Sequence, residues 1–450
     1  MDLFGTAGIR GDVGSEVTPD LALRVGRAVA SDGDEFVVGG DGRQSTPALR
    51  SAVAAGLQSG GARVVDVGRV PTPALAFASR GRRGVMITAS HNPPEDNGIK
   101  LFADGTEYDR EAERRVEAAV EDDEAAAWDE WGGERTESPL PAYREAVVDY
   151  AAEWGGSPTD LTAAVDCGNG MAGVATPQVL GRMGAHVQAL EANVDGRFPA
   201  RESKPTPETL SALRAFVARS EADLGIGHDG DADRIVVLDG DGEVVHEDTV
   251  VAILAEAYTR ASAAGDPVVV TTPNASARID ECVRAAGGRV ERVRLGALHE
   301  GIASARAEGG PETEVVFAAE PWKHVHPAFG GWIDGVASAA VLTALVAEHG
   351  LDPLRDPVTE RPYRKVSVDC PDAAKPAVME RLETDLPERF PEAGVDTEYG
   401  VRLELPDGSW TLVRPSGTEP YVRAYAESED VDALVETVVD AIERAVDDAA

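Results

Sequence analysis

Four stretches of this 450-residue chain hold residue types whose spacing could do chemistry. In GHDGDADR (227–234), Asp229, Asp231 and Asp233 alternate in a glycine-containing loop after an apolar run. Three carboxylates this close repel one another unless a cation sits among them, and an all-oxygen donor set suits a hard divalent ion, most simply Mg²⁺. A calcium-binding EF-hand is excluded, because Arg234 takes the sixth loop position and Gly240 the twelfth. Two other readings stay open: a solvated acidic turn, and a phosphatase in which Asp229 is the nucleophile. In TASHNP (88–93), Ser90 and His91 follow the apolar run GVMI. Asn-Pro alone makes a turn, but a hydroxyl at the carboxyl end of a strand is where open α/β sheets place their ligands.

The other two stretches point to anions. RPSGTEPYVRAYAE (414–427) offers Arg414, Ser416, Gly417, Thr418 and, on the following strand, Arg423. A planar guanidinium fork, hydroxyls and turn N–H groups form a nest for a phosphate dianion, or else an ordinary hairpin loop. FGTAGIRGD (4–12) is a glycine-rich start holding Thr6 and Arg10. Acyl transfer at Ser90 lacks both the G-x-S-x-G elbow and an evident Asp partner. A serine carrying phosphate beside Asp229, Asp231 and Asp233, faced by Arg234 and Lys100, suits phosphoryl transfer, which needs positioning and charge neutralisation more than a strong base. Two phosphate subsites imply a substrate with two phosphorylatable ends.

The elements that must position these loops alternate along the chain. FVVGGDGR (36–43), ARVVDV (62–67), GVMIT (84–88), TAAVDCGNG (162–170), ADLGIGHDGDADR (222–234) and DPVVVTTPNAS (266–276) are β-branched runs that lead into glycine-rich loops. Helical stretches intervene, so stacked α/β units with largely parallel sheets are predicted. Residues 121–139 are acidic and lack strand character, and a helix over about 140–154 bridges to the second block. LDGDGEV (238–244) reads as a hairpin turn. The proline-rich segment 349–362 reads as a linker and hinge. Beyond it, KVSVDC, VRLEL, WTLVR and YVRAYAE predict an α+β domain with an antiparallel sheet.

Composition narrows the class. Eighty acidic against 42 basic residues give a net charge of −38, spread along the chain. Such a surface is tolerated when salt screens it, which reads as adaptation to a salt-rich cytoplasm. No basic stripe suits nucleic acid, and no apolar stretch suits a membrane. The start MDLFGTAGIRGD has no signal-peptide pattern, so the protein reads as cytoplasmic. Cys167, Cys282 and Cys370 form neither a disulfide framework nor a zinc site.

TASHNP, DGDADR and RPSGTEP, in this order, resemble the α-D-phosphohexomutase family, over essentially the whole chain. The resemblance implies three similar α/β domains with mixed, mostly parallel sheets and a C-terminal α+β domain around a central cleft, at 1–138, 139–243, 244–352 and 353–450. It implies interconversion of hexose 1- and 6-phosphates (glucose, mannose or glucosamine) through a phosphoserine enzyme, with Mg²⁺ and a sugar 1,6-bisphosphate as cofactors, in a monomer or homodimer. Carried over by position, Ser90 is the phosphorylated serine and His91 its neighbour. Lys100 and Arg10 surround the transferred phosphoryl group. Asp229, Asp231 and Asp233 hold the metal, with the phosphate on Ser90 completing the shell. Arg414, Ser416, Gly417, Thr418 and Arg423 bind the other phosphate. One loop departs from the family's Gly-Glu-x-Ser-Gly-His: AAEPWKHVHP (318–327) keeps Glu320 for the sugar hydroxyls and His324 as the acid/base, with His326 as its alternate. Trp322 and Lys323 replace Ser and Gly, and an indole there is expected to reshape the pocket; the first reading is a lineage variant with unchanged chemistry, the second an altered or bulkier sugar substrate or lost mutase activity. A phosphosugar phosphatase and a non-catalytic phosphosugar sensor are the competing functions.

Overall fold

The computed structural model describes residues 3–5, 8–416 and 419–449. These form two compact units, Met1–Val250 with Val316–Leu354, and Val251–Val315 with Arg355–Ala450. Among the described residues no helix is long and apolar enough to cross a membrane.

The first unit opens with a mixed sheet whose strands run in the order Ile9–Asp12, Asp96–Ala103, Arg83–Ile87, Glu35–Gly40, Arg63–Arg69, Glu134–Thr136. The last four are mutually parallel, while Asp96–Ala103 is antiparallel to both of its neighbours in this order. Phe36–Gly40 and Gly84–Ile87 are buried throughout, which explains why they read as continuous apolar runs rather than alternating ones. Helices Pro19–Val29 and Thr46–Ser59 cross at Gly26 and Gly56, where a Cβ on either would strike the backbone of the other. A second sheet runs Ile235–Leu238, Leu224–His228, Thr162–Asp166, His186–Leu190. Its only antiparallel pair, Leu224–His228 with Ile235–Leu238, folds residues 229–234 into the connecting loop. The hairpin of Thr313–Glu320 with Lys323–Val325 and the buried helix Gly335–His349 complete the site's surroundings.

In the second unit Asp266–Thr271 runs parallel to Arg289–Arg292. Five further strands form an antiparallel sheet, Tyr363–Asp369, Tyr421–Glu427, Trp410–Pro415, Val401–Glu404, Gly394–Asp396. Helices Lys375–Arg389 and Val431–Ala449 cover it with Val378, Leu382, Leu386, Val438 and Ile442.

The α/β architecture with a C-terminal antiparallel domain is as the sequence predicts, and the bridging helix is Leu140–Ala151. Three local readings change. Glu134–Thr136, in the stretch read as lacking strand character, is a short exposed edge strand paired with Val64–Asp66. A polar edge strand buries nothing and so leaves no apolar pattern to read. Within the proline-rich linker, Leu351–Arg355 is helical. The C-terminal domain is also not held by that linker alone. Arg278, from the 251–315 part, makes a fully buried ion pair with Glu427 at 3.0 Å, and Trp410 Nε1 donates to the other oxygen of Glu427 at 3.0 Å. Arg402 Nη1 donates to Pro273 O and Ala275 O at 2.6 and 3.2 Å. A buried guanidinium that loses its carboxylate is left with an uncompensated charge. Glu427→Gln is therefore expected to destabilise the second unit by about 3–5 kcal/mol, read as a lower urea midpoint; a loss under about 1 kcal/mol would show that the pair is not what holds the two parts together.

Candidate active site

The strand Arg83–Ile87 ends, and Ser90 turns back over it with a left-handed backbone, φ 51°. A non-glycine residue held there is strained, and strain of this kind gathers at functional sites. Ser90 N donates to Thr88 Oγ1 at 2.9 Å, which fixes the turn. The Ser90 side chain is 1% exposed. Its Oγ donates to Asp229 Oδ2 at 2.6 Å and lies 3.4 Å from Asp233 Oδ1 and from His91 Nδ1. The sequence-predicted serine and aspartates thus meet although 139 residues separate Ser90 from Asp229.

Asp229, Asp231 and Asp233 are all buried, with one oxygen from each lying within 4.8 Å of the others. Ala232, between two of them, is also left-handed at φ 63°, so the loop curls the carboxylates inward. Asp231 Oδ2 accepts from Thr72 Oγ1 at 2.6 Å, but Asp231 Oδ1 is buried with no hydrogen-bond partner. An orphaned buried carboxylate oxygen is costly. Three oxygen donors aimed at one point, one of them unpaired, fit a hard divalent cation such as Mg²⁺.

Charge around the triad is sharply divided. Burial and the two neighbouring carboxylates push Asp229 well above the ordinary range. Burial acts on Asp233 in the same sense, but Lys100, Lys323 and Arg234 outweigh it and hold its carboxyl low. Lys100 donates to Asp233 Oδ2 at 2.9 Å and lies 3.4 Å from Glu107. These carboxylates raise its pKa despite complete burial. Arg234 Nε is 3.9 Å from Asp229 Oδ2, and Arg234 N donates to Asp229 Oδ1 at 3.2 Å. The Nε atoms of Arg10 and Arg234 are both buried and lack hydrogen-bond partners. His91 is pushed down to about 2 by burial and then by Arg234 and Arg10. Arg10, His91, Lys100 and Arg234 therefore share one electropositive wall facing the triad.

The departing loop brings Lys323 to that wall and Glu320 beside it, 3.7 Å from the Lys323 ammonium. Trp322, left-handed at φ 67°, packs its indole against a cluster that includes Leu210, Leu213 and Val236, and its carbonyl accepts from Ile235 N at 3.0 Å. Apolar packing thus holds the half-buried indole, and Lys323 and Glu320 are the charged groups the loop brings to the wall. The acid/base reading of His324 meets an obstacle. His324 Nδ1 and His326 Nε2 both contact Ser338 Oγ, at 3.0 and 2.9 Å, inside the core under helix Gly335–His349. Burial lowers each to about 3. The imidazole that approaches Ser90 is that of His91.

In the second unit Arg414 and Arg423 are direct cross-strand neighbours. Like charges so placed repel. Tyr425 Oη accepts from Arg414 Nη2 at 3.0 Å and from Arg423 Nη1 at 3.4 Å, and Arg423 Nη2 also donates to Tyr421 Oη. Both Nε atoms stay buried and without hydrogen-bond partners, as in an anion nest. Ser416 N donates to Tyr421 O at 3.0 Å, and Lys375 Nζ donates to Ser416 O and Glu419 O, each at 2.7 Å. Thr6, Gly417 and Thr418 lie outside the described residues.

Sequence reasoning missed the supporting residues. Thr72 and Thr88 orient Asp231 and Ser90, Glu107 faces Lys100, and Lys375 and Tyr425 shape the arginine loop. Hydroxyls and single charges carry no spacing signal. Thr88, inside TASHNP, and Tyr425, inside RPSGTEPYVRAYAE, stood in motifs already singled out, but neither was marked for a role.

The chain matches Phosphoglucomutase/phosphomannomutase alpha/beta/alpha domain I over residues 1–127, domain II over 142–242, domain III over 246–363 and the C-terminal domain over 366–445. A phosphopentomutase of Thermococcus kodakarensis is 43% identical over 439 residues, 95% of this chain and 94% of its own length. A protein named Probable phosphoglucosamine mutase from Methanopyrus kandleri is 42% identical over 461 residues, 99% and 98% of the two chains. The crystal structure of a phosphoglucomutase/phosphomannomutase family protein from Burkholderia thailandensis superposes with a TM-score of 0.85 at 28% identity, covering 99% of this chain and 97% of that one.

Four imidazoles in the first unit, three of them buried and that of His91 half-buried, are held neutral: His91 at about 2, His228 at about 4, and His324 and His326 at about 3. In the unfolded chain each titrates near 6.5. Between about pH 6.5 and 4 the unfolded state binds more protons, so this contribution is complete above 6.5 and is lost as pH falls. A His324→Gln, His326→Gln variant should lose less stability than the parent over that interval, measured by urea denaturation at stepped pH; parallel pH profiles would contradict the assignment.

Proposed function

Since the chain belongs to the phosphoglucomutase/phosphomannomutase family and is a phosphosugar mutase enzyme, we propose that Ser90 carries the transferable phosphate and that the sugar leaves with the phosphate at its opposite end. The contact of Ser90 Oγ with Asp229 at 2.6 Å carries this reading. A Mg²⁺ held by Asp229, Asp231 and Asp233, with the phosphate on Ser90, would neutralise charge on the transferring group.

The rest is done by the chain's own side chains. Arg10, Arg234 and Lys100 hold the phosphoryl oxygens; the buried, unpartnered Nε atoms of the two arginines support that role. In the first half-reaction the Ser90 Oγ–P bond breaks as a free sugar hydroxyl bonds to phosphorus. The hydroxyl proton ends on the serine oxygen that leaves phosphorus, so the step balances without a separate strong base, and His91 Nδ1 stands 3.4 Å from that oxygen. The sugar 1,6-bisphosphate so formed turns end for end. Its other phosphate then returns to Ser90 by the reverse steps, and no external donor is consumed. Glu320 accepts hydrogen bonds from sugar hydroxyls. Arg414, Ser416 and Arg423, with Gly417 and Thr418, take the phosphate that is not being transferred.

A hexose 1-phosphate, of glucose, mannose or glucosamine, is the first substrate reading. A pentose phosphate is the second. It is favoured by the phosphopentomutase relative and by Lys323, which fills space that glycine would leave beside Glu320. The phosphatase and sensor readings have no use for an intact acceptor serine together with a separate arginine nest. The protein is proposed to act in the cytoplasm of a salt-adapted cell.

The test is a panel of glucose, mannose, glucosamine and ribose 1-phosphates with a bisphosphate primer, in concentrated KCl, following the terminal phosphate ester and free phosphate separately. One sugar class should be isomerised without phosphate release. Ser90→Ala should lower that rate by at least about 10³-fold. Isomerisation that survives Ser90→Ala would end the proposal, and phosphate release without isomerisation would favour the phosphatase.

A further inference from the structure

A guanidinium outside the four stretches read for chemistry, at the end of FVVGGDGR (36–43), grips the loop that carries Ser90. Arg43 follows strand Glu35–Gly40 in the run GGDGR and is 1% exposed. Its Nε donates to Asp41 Oδ2 at 3.0 Å. Its Nη1 donates to Pro93 O and, at 2.9 Å, to Asp96 O. Its Nη2 donates to Ser90 O at 2.9 Å and to Asn92 O at 2.7 Å. All five N–H donors of the side chain are thus spent, four of them on successive turns of one loop. Nothing is left over for a ligand, so Arg43 is not itself a phosphate binder.

The surroundings keep the grip in register. Asp41 Oδ1 accepts from Arg43 N at 3.0 Å and from Thr46 Oγ1 at 2.8 Å, and Asp41 Oδ2 accepts from Thr88 Oγ1 at 2.8 Å. Thr88 is the residue whose hydroxyl accepts from Ser90 N. Phe198 lies under the guanidinium at 5.1 Å. Ser203 Oγ donates to Asn92 O, one of the same carbonyls, at 3.0 Å. The left-handed backbone of Ser90 costs free energy and persists only where the surroundings over-determine it. Arg43 fixes its carbonyl, and Asp41, through Thr88, fixes its amide.

We propose that Arg43, oriented by Asp41, is the positioning residue that holds Ser90 in its strained conformation and so aims Oγ at the aspartates. This rests on the reading of Ser90 as the phosphate carrier. Arg43 sets how well the loaded serine is presented and leaves the binding of free sugar phosphate nearly untouched. Lysine cannot replace it, because a single ammonium cannot span four carbonyls and a carboxylate.

The full-length enzyme with Mg²⁺ is assayed on the best sugar 1-phosphate of the panel, with melting temperature recorded for each variant. Arg43→Ala and Arg43→Lys should each lower kcat by about 100-fold with KM changed less than about threefold. Methylguanidinium at millimolar concentration should return part of the Arg43→Ala activity and none of the Arg43→Lys activity. Ser203→Ala, which removes one neutral hydrogen bond to the same loop, serves if Arg43 variants do not fold. It should lower kcat about threefold or more at unchanged KM. An unchanged kcat in the folded Arg43 variants, or failing those in Ser203→Ala, overturns the inference, as does a loss of activity that follows melting and shows no methylguanidinium rescue. The Ser90→Ala control separates the two claims: an active Ser90→Ala defeats the phosphoserine reading, whereas an inactive Ser90→Ala beside a fully active Arg43→Ala defeats only this one.

Discussion

Repulsion among Asp229, Asp231 and Asp233 is the constraint from which the rest of the first unit takes its form. Three buried carboxylates around one point cannot all stay ionised without compensation. The fold answers with cations from four separate segments: Arg10, Lys100, Arg234 and Lys323. These do not neutralise the cluster pair by pair. Lys100 is satisfied by Asp233, whereas Arg10 and Arg234 keep buried N–H groups unspent and Asp231 keeps an oxygen unspent. A purely structural network would close those bonds. One that leaves acceptors on one side and donors on the other suits a cation and an anion arriving together, which is what a metal and a phosphoryl group are.

Holding such a cluster demands backbone that ordinary loops do not adopt. Ser90, Ala232 and Trp322 all sit in the left-handed region, each in one of the three loops that meet at the triad. The loops can be held this way because rigid elements end at them. Strand Arg83–Ile87 delivers Ser90, the antiparallel pair Leu224–His228 and Ile235–Leu238 delivers the aspartates, and the hairpin of Thr313–Glu320 with Lys323–Val325 delivers Glu320 and Lys323. His228 joins two of these functions. Its Nδ1 meets Arg234 O at 2.7 Å and its Nε2 meets Thr176 Oγ1 at 3.0 Å, so a buried neutral imidazole braces the far end of the aspartate loop.

Much of this was legible in the chain, and the reasons are physical. Alternating aspartates, a serine at a strand end and an Arg-Pro-Ser-Gly turn are local patterns, because each is contained in one loop. The α/β alternation was legible because buried parallel strands read as apolar runs. What stayed hidden acts across long sequence separations. Thr72 supports Asp231 from 159 residues away, and Arg43 reaches Ser90 across 47. His324 misled for the opposite reason. A matching motif position suggested a reactive imidazole, whereas the ring is packed against Phe317 and bonded to Ser338 in the core. Trp322 combines a left-handed backbone with an indole packed onto the second sheet's apolar cluster, a distant partner that no local pattern announces.

The most direct test asks where phosphate sits on the protein itself. The enzyme is incubated with Mg²⁺ and glucose 1,6-bisphosphate, quenched and digested, and the peptides containing Ser90 and Asp229 are analysed by mass spectrometry. The account predicts phosphate on Ser90 alone. Phosphate on Asp229, or an unmodified Ser90 in an enzyme that is turning over, would contradict it.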